Sequence, residues 1–191
     1  MFYRRTILAF GLALIVMLPT VCSNPARASG EASSFVQELG SQAIGVLQDD
    51  SNTLEQREAR FREILVKGFD LDLIGRFVLA RYWKSADDDQ RANYLRAFGE
   101  FIVHKYSAML GGYSGEVMTV VSEQRSGDKD VLVHTRIDRP SGPPIVTHWR
   151  VRGSGDEQRI IDVVIEGISM AVTQRAEFKS VVKRHGIDGL I

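Results

Sequence analysis

Cysteine is almost missing from this chain. The single one, Cys22, lies near the N-terminus, upstream of a pattern that predicts cleavage, so the mature protein is expected to carry none. No disulfide, thiol nucleophile or cysteine metal site is then available, and stability must come from ordinary burial. Charge of one sign is missing too: 24 Lys and Arg stand against 24 Asp and Glu. That balance gives no electrostatic footprint for nucleic acid, and no polybasic cluster is dense enough to hold an anionic membrane surface. Long apolar runs are lacking as well. The longest, Ile7 to Leu18 with Gly11 inside it, is shorter than the roughly 20 residues that a membrane span needs. Nucleophile elbow, HExxH, P-loop and dinucleotide fingerprint are all absent, as are internal repeats and low-complexity tracts.

What the N-terminus does contain is a basic start (Arg4-Arg5), a short apolar stretch and the small-residue exit Ala26-Arg27-Ala28. Together these predict a secretory signal peptide over residues 1–28, cut after Ala28. Pro19-Thr20-Val21 lack the small residue that a lipoprotein signal places before its cysteine, so lipidation of Cys22 is not expected. Residues 29–191 are enough for one domain with a real core.

Helical patterns fill the first half. Ser34 with Gln37 and Thr53 with Gln56 have the spacing of capping boxes, opening helices whose apolar faces carry Val36, Leu39, Ala43, Val46 and Leu47, then Leu54, Phe61, Ile64 and Leu65. Gly68 is expected to close the second helix, Asp70 to cap the third and Ser85 to cap the fourth. Asp87, Asp88 and Asp89 complement the dipole of that fourth helix, and Gly111-Gly112 stop it. The span from Phe69 to Tyr106 is the richest in aromatic and branched residues, with Ile74, Phe77 and Val78, then Leu95, Phe98 and Ile102, recurring at helical spacing.

After Gly115 the period changes to two. Strands are predicted over Glu116–Gln124, Val131–Asp138, Ile145–Arg152 and Arg159–Glu166, separated by short turn-rich segments. Such connections join antiparallel neighbours and leave no room for crossover helices. Val131, Val133, Thr135 and Ile137 share one face of their strand, as do Ile145, Thr147, Trp149 and Val151, and Ile161, Val163 and Ile165. A last helix, Thr173 to His185, ends at Gly186. The fold class is α+β: N-terminal helices packed on a four-stranded antiparallel sheet with a C-terminal helix.

Among titratable groups, His134 and His148 fall on the polar phase of adjacent strands, opposite each other if the hairpin centres on Ser141. Asp162 follows on the next strand, on a face that the turn before it does not fix. A His-His-Asp cluster could bind a metal or act as acid and base. Two solvent-facing histidines beside an unrelated aspartate are the commoner arrangement.

Two segments, FDLDLIGRFVLARYW with QRANYLRAFGEFIVHKYSAMLGGYSG and RIIDVVIEGISM with QRAEFKSVVKRHGIDGLI, resemble the MlaC or toluene-tolerance family of periplasmic lipid carriers, which has hopanoid-associated members. The resemblance runs through nearly all of residues 29–191. It departs at Gly75, where alanine is expected, and at Ala80, where glycine is expected. It implies a cofactor-free, metal-free, monomeric carrier with an NTF2-like apolar cavity between helices and sheet. It also implies a phospholipid or hopanoid ligand, and docking to an inner-membrane lipid transporter complex of ABC type and an outer-membrane lipoprotein complex that serve outer-membrane lipid asymmetry. Alternation puts Val133, Ile145, Thr147, Trp149, Val163 and Ile165 on one sheet face, and helical spacing puts Phe77, Phe98 and Ile102 on apolar helix faces. These are the expected lining of that cavity, with no catalytic residue among them. Two other readings stay open: a small exported enzyme using His134, His148 or Asp162, and a structural interaction module whose apolar faces simply fill a core.

Overall fold

The structure, a computed structural model, describes residues 30–49, 51–107 and 115–191. The predicted signal peptide, Cys22 and the Gly111-Gly112 stop lie outside the described residues. Helix α1 (Glu31–Gln48) begins upstream of Ser34, and the Ser34–Gln37 capping box does not form. The reason is tertiary. Ser33 donates from its amide (2.9 Å) and its hydroxyl (2.5 Å) to Oε2 of Glu123, on the first strand. A carboxylate from a distant strand thus satisfies an orphan donor in the first turn of the helix. In α2 (Leu54–Gly68) the Thr53–Gln56 box is present in both directions, at 3.3 and 2.9 Å. Gly68 is its last residue, and a Cβ there would lie 2.7 Å from Leu39 Cδ1. The glycine lets α1 and α2 close on each other.

Helix α3 (Leu71–Leu79) is capped by Asp70, whose carboxylate accepts from the Leu73 amide at 2.9 Å. Ser85 does not cap the next long helix. It ends a single turn, α4 (Tyr82–Ser85), donating its hydroxyl to the Tyr82 carbonyl at 3.0 Å. Asp87 caps α5 (Asp88–Ser107) instead, by reciprocal bonds with Gln90 of 2.8 and 3.2 Å. Asp87 has a Gln at the third helical position and Ser85 does not, so the carboxylate–amide box prevails.

Strands β1 (Val117–Ser126), β2 (Asp130–Asp138), β3 (Ile145–Arg152) and β4 (Arg159–Ile165) form the antiparallel meander in sequence order. A two-residue β5 (Ile168–Ser169) is added at the far edge. From it α6 (Met170–His185) starts directly, capped by Ser169 rather than near Thr173. The sheet contains two irregularities. Between Val120 and Ser122 the pairing of β1 with β2 skips Val121, and between Arg150 and Val151 the pairing with β4 skips Ile161. The second bulge flips the alternation, so Ile160, 1% exposed, joins the buried face in place of the predicted Ile161.

Apolar side chains gather in two clusters. One joins Ala32, Val36 and Leu39 of α1 to Met118, Val133, Val151 and Ile160 of the sheet. The other joins Val78, Leu79, Tyr94, Phe98 and Val182 from α3, α5 and α6. Gly75 allows the second to close: a Cβ there would stand 2.9 Å from Leu95 Cδ2 and 3.1 Å from Phe98 Cδ1. The Tyr94 hydroxyl donates to the Gly75 carbonyl at 2.9 Å, and burial drives its ionisation well above the usual phenol range. The paired departures at Gly75 and Ala80 differ in consequence. Ala80 ends α3 at φ 55°, ψ −126°, a conformation that glycine adopts without strain and alanine does not. Ala80→Gly is expected to stabilise the fold by about 1 kcal/mol, read as a higher denaturation midpoint at unchanged m-value.

Candidate functional site

The strand register sets His134 opposite His148, with ring centroids 4.3 Å apart and planes inclined at 68°. Ser122 and Val164 flank them on the neighbouring strands, on the face away from Val133 and Trp149. Burial, and then the neighbouring His148, push the His134 pKa below its ordinary value. Asp162 shares this face through its pairing with Arg150, yet its oxygens are engaged elsewhere. Oδ2 accepts from the Ser169 hydroxyl at 2.7 Å and Oδ1 from the Ala171 amide at 3.1 Å, at the start of α6. It holds a helix N-terminus in place. Among the described residues no group of three or more His, Cys, Asp or Glu is disposed to hold a metal ion.

The lowered His134 pKa has a definite linkage. The unfolded chain binds more protons than the folded one between the depressed pKa and the ordinary value near 6.5. Stability from this group is therefore full above pH 6.5 and falls as pH drops below it. His134→Gln should flatten that part of the stability–pH curve, measured by denaturant unfolding at stepped pH.

On the opposite face, Val133, Trp149 and Val163 are aligned across three strands, with Thr147 beside Ile165 and Ile145 beside Ile137. The six expected sheet residues share one surface. Thr147 is 2% exposed and its hydroxyl has no protein partner, whereas the Thr135 hydroxyl donates to the Thr147 carbonyl and accepts from Trp149 Nε1 at 2.9 Å. Phe98 and Ile102 are also brought together, but in the helical cluster, where Phe98 meets the Phe178 ring edge-on at 6.1 Å. The structure does not join this pair to the sheet set. Phe77 is outside both, 43% exposed, with the Arg175 guanidinium 5.2 Å above its ring. What covers the sheet face is α1, through Val36 and Leu39, residues that showed as an apolar stripe without a partner assigned.

Between α2 and α5 the surface is cleft. One opening of about 480 Å³ is lined by Glu55, Glu58, Ala59, Arg62, Glu100, Phe101, Val103 and His104. A second, about 560 Å³, has Val66, Phe69, Leu71, Leu95 and Gly99 among its walls, and shares Arg62, Glu100 and Val103 with the first. The two are parts of one groove. Arg62 and Glu100 cross it with two parallel bonds of 2.8 Å, the bidentate form of a guanidinium–carboxylate pair. Each partner favours the other's charged form: the Arg62 pKa is raised and the Glu100 pKa lowered, by that hydrogen bond first. Phe69 packs against the sheet cluster and Leu95 belongs to the helical one, so the second opening touches both.

Comparison with known proteins adds three findings. The family model described as MlaC protein matches residues 37–191. A Haemophilus influenzae protein named intermembrane phospholipid transport system binding protein MlaC is 28% identical over 196 residues, spanning 97% of this chain and 88% of its own. A solved structure of a phospholipid-binding protein from Ralstonia solanacearum, in complex with a phospholipid, superposes with a TM-score of 0.73 at 20% identity. It covers 84% of this chain and 92% of that one, which shows that the two share a fold.

Proposed function

The chain belongs to the MlaC family, and on that premise we propose that it is a lipid carrier that encloses apolar tails and catalyses no reaction. The observation that carries this reading is the division of the interior. A domain of this size ordinarily has one contiguous core, whereas here a sheet cluster and a helical cluster are each internally packed. Tails inserted between them would rest on Val133, Ile145, Thr147, Trp149, Val163 and Ile165 on one side, and on Phe98 and Ile102 on the other. Phe77 would join only if α3 turned inward. The Haemophilus relative is named for phospholipid transport and the Ralstonia structure for phospholipid binding, so phospholipid is the favoured cargo. A hopanoid, equally apolar but rigid, is the second candidate.

The energetics explain why such a carrier is needed. At about 0.8 kcal/mol per methylene, a diacyl lipid with roughly 30 methylenes costs on the order of 24 kcal/mol to expose to water. A carrier must therefore cover the tails and can leave the head wet, which calls for many apolar contacts and few polar anchors. We place it in the periplasm, passing lipid between an inner-membrane transporter complex and an outer-membrane lipoprotein complex. N-terminal sequencing of exported protein is expected to begin at Ser29. The enzyme reading is disfavoured because the Asp162 carboxylate is committed to α6.

Mass spectrometry of an organic extract of the purified, tag-free protein should find about one phospholipid per chain. Val163→Arg and Ile102→Arg, both at half-buried positions, should each lose most of that lipid while keeping a cooperative melting transition. A parent protein free of lipid, after expression in cells rich in it, would leave the structural module as the better reading.

A further inference from the structure

The groove between α2 and α5 combines three features. Its most deeply buried lining residue is apolar, Val103 at 3% exposed, while charged side chains such as Glu58, Asp72 and Arg96 stand around it. Its walls reach both interior clusters, through Phe69 on one side and Leu95 on the other. It is spanned from helix to helix by the Arg62–Glu100 pair, whose side chains are 46% and 61% exposed. An ion pair so exposed gains little over hydrated charges, yet here it is held in two parallel bonds directly across the opening.

We propose that acyl chains reach the space between the two clusters through this groove, and that the Arg62–Glu100 pair is a latch across it. The proposal rests on the carrier reading and extends it to the route of exchange. With the latch made, α2 and α5 are tied over Val103. With it parted, the helices can separate along the line where the sheet cluster and the helical cluster are both within reach. An exposed pair of this kind shifts an equilibrium by no more than about fivefold. Thermal motion therefore opens it readily, and salt weakens it, because the Debye length falls to about 3 Å at 1 M. That is a suitable strength for a latch, which must yield when the protein meets a membrane or a partner.

Gly99 offers a way to test the route independently of the latch. It lines the second opening, and a Cβ built on it meets nothing within 4 Å. A phenylalanine at this position would project into the groove without a clash at its own Cβ, and it replaces a poor helix former.

The experiment loads the full protein with a phospholipid carrying an environment-sensitive fluorophore on one chain. Its transfer to vesicles of unlabelled phosphatidylcholine is then followed. Glu100→Gln should speed transfer two- to fivefold at low salt with the same lipid content per protein. The reversed pair, Arg62→Glu with Glu100→Arg, should return the rate to that of the parent. Raising NaCl to 1 M should bring the parent close to the Glu100→Gln rate and leave that variant nearly unchanged. Gly99→Phe should slow transfer at least fivefold with its melting temperature preserved. Equal rates for parent and Glu100→Gln would overturn the latch, and an unaltered rate in Gly99→Phe would overturn the route. Either result could stand with lipid still bound, whereas a parent that takes up no labelled lipid would overturn the carrier reading itself.

Discussion

The amide of Asp70 donates to the carbonyl of Ile160 at 3.0 Å, and Phe69 bridges to the same residue of β4 in parallel register. This short seam is where the helical half of the molecule is registered on the sheet. Asp70 serves both sides of it at once, since its carboxylate also caps α3. A buried backbone group without a partner is costly, so the link between α2 and α3 cannot slide along β4 without breaking a hydrogen bond and loosening a helix start together. From that seam α3 carries the contact on to α5, through Gly75 and Tyr94.

The two apolar clusters differ in what they depend on. The sheet cluster is closed by α1, which Glu123 fixes through Ser33. The helical cluster is closed by aromatic edges among Tyr94, Phe98, Phe101 and Phe178. Each has its own packing. A carrier needs this property. Its interior must admit a large apolar guest while the chain stays folded, and a single interdigitated core resists any such insertion because protein interiors pack like crystals.

The elements of the fold were legible in the sequence, because capping chemistry and hydrophobic period are local. The Thr53–Gln56 box, the Asp70 cap, the strand extents of β2 and β3 and the facing histidines all follow from neighbours in the chain. One failure was local, Ser85 yielding the cap to Asp87 and Gln90 beside it, and the others come from residues distant along the chain or from the sheet. Ser34 does not cap α1, whose first turn is met through Ser33 by Glu123, a residue of β1, and no spacing near α1 could announce that. Ile161 reads as one of an alternating set, but the bulge in β4 removes it from the face, and alternation has no term for an extra residue. Asp162 looked free to join the histidines until β5 and α6 folded back onto it. For the candidate site, membership of an apolar face was readable and the pairing of faces was not. Val36 and Leu39 belonged to a visible stripe, but only docking in three dimensions shows that they, rather than Phe98, lie over Val133.

The bulge at Val121 has a further bearing. Among the described residues β1 is the outermost strand on its side of the sheet, a ten-residue run, and it carries exposed Val117 and Val121. A straight strand of that kind is a template for another chain to add to. The extra residue breaks the regular spacing of the free donors and acceptors and bends the strand, so an approaching segment cannot match it over more than a few residues. The bulge thereby lowers the tendency of this edge to recruit a second copy of the chain.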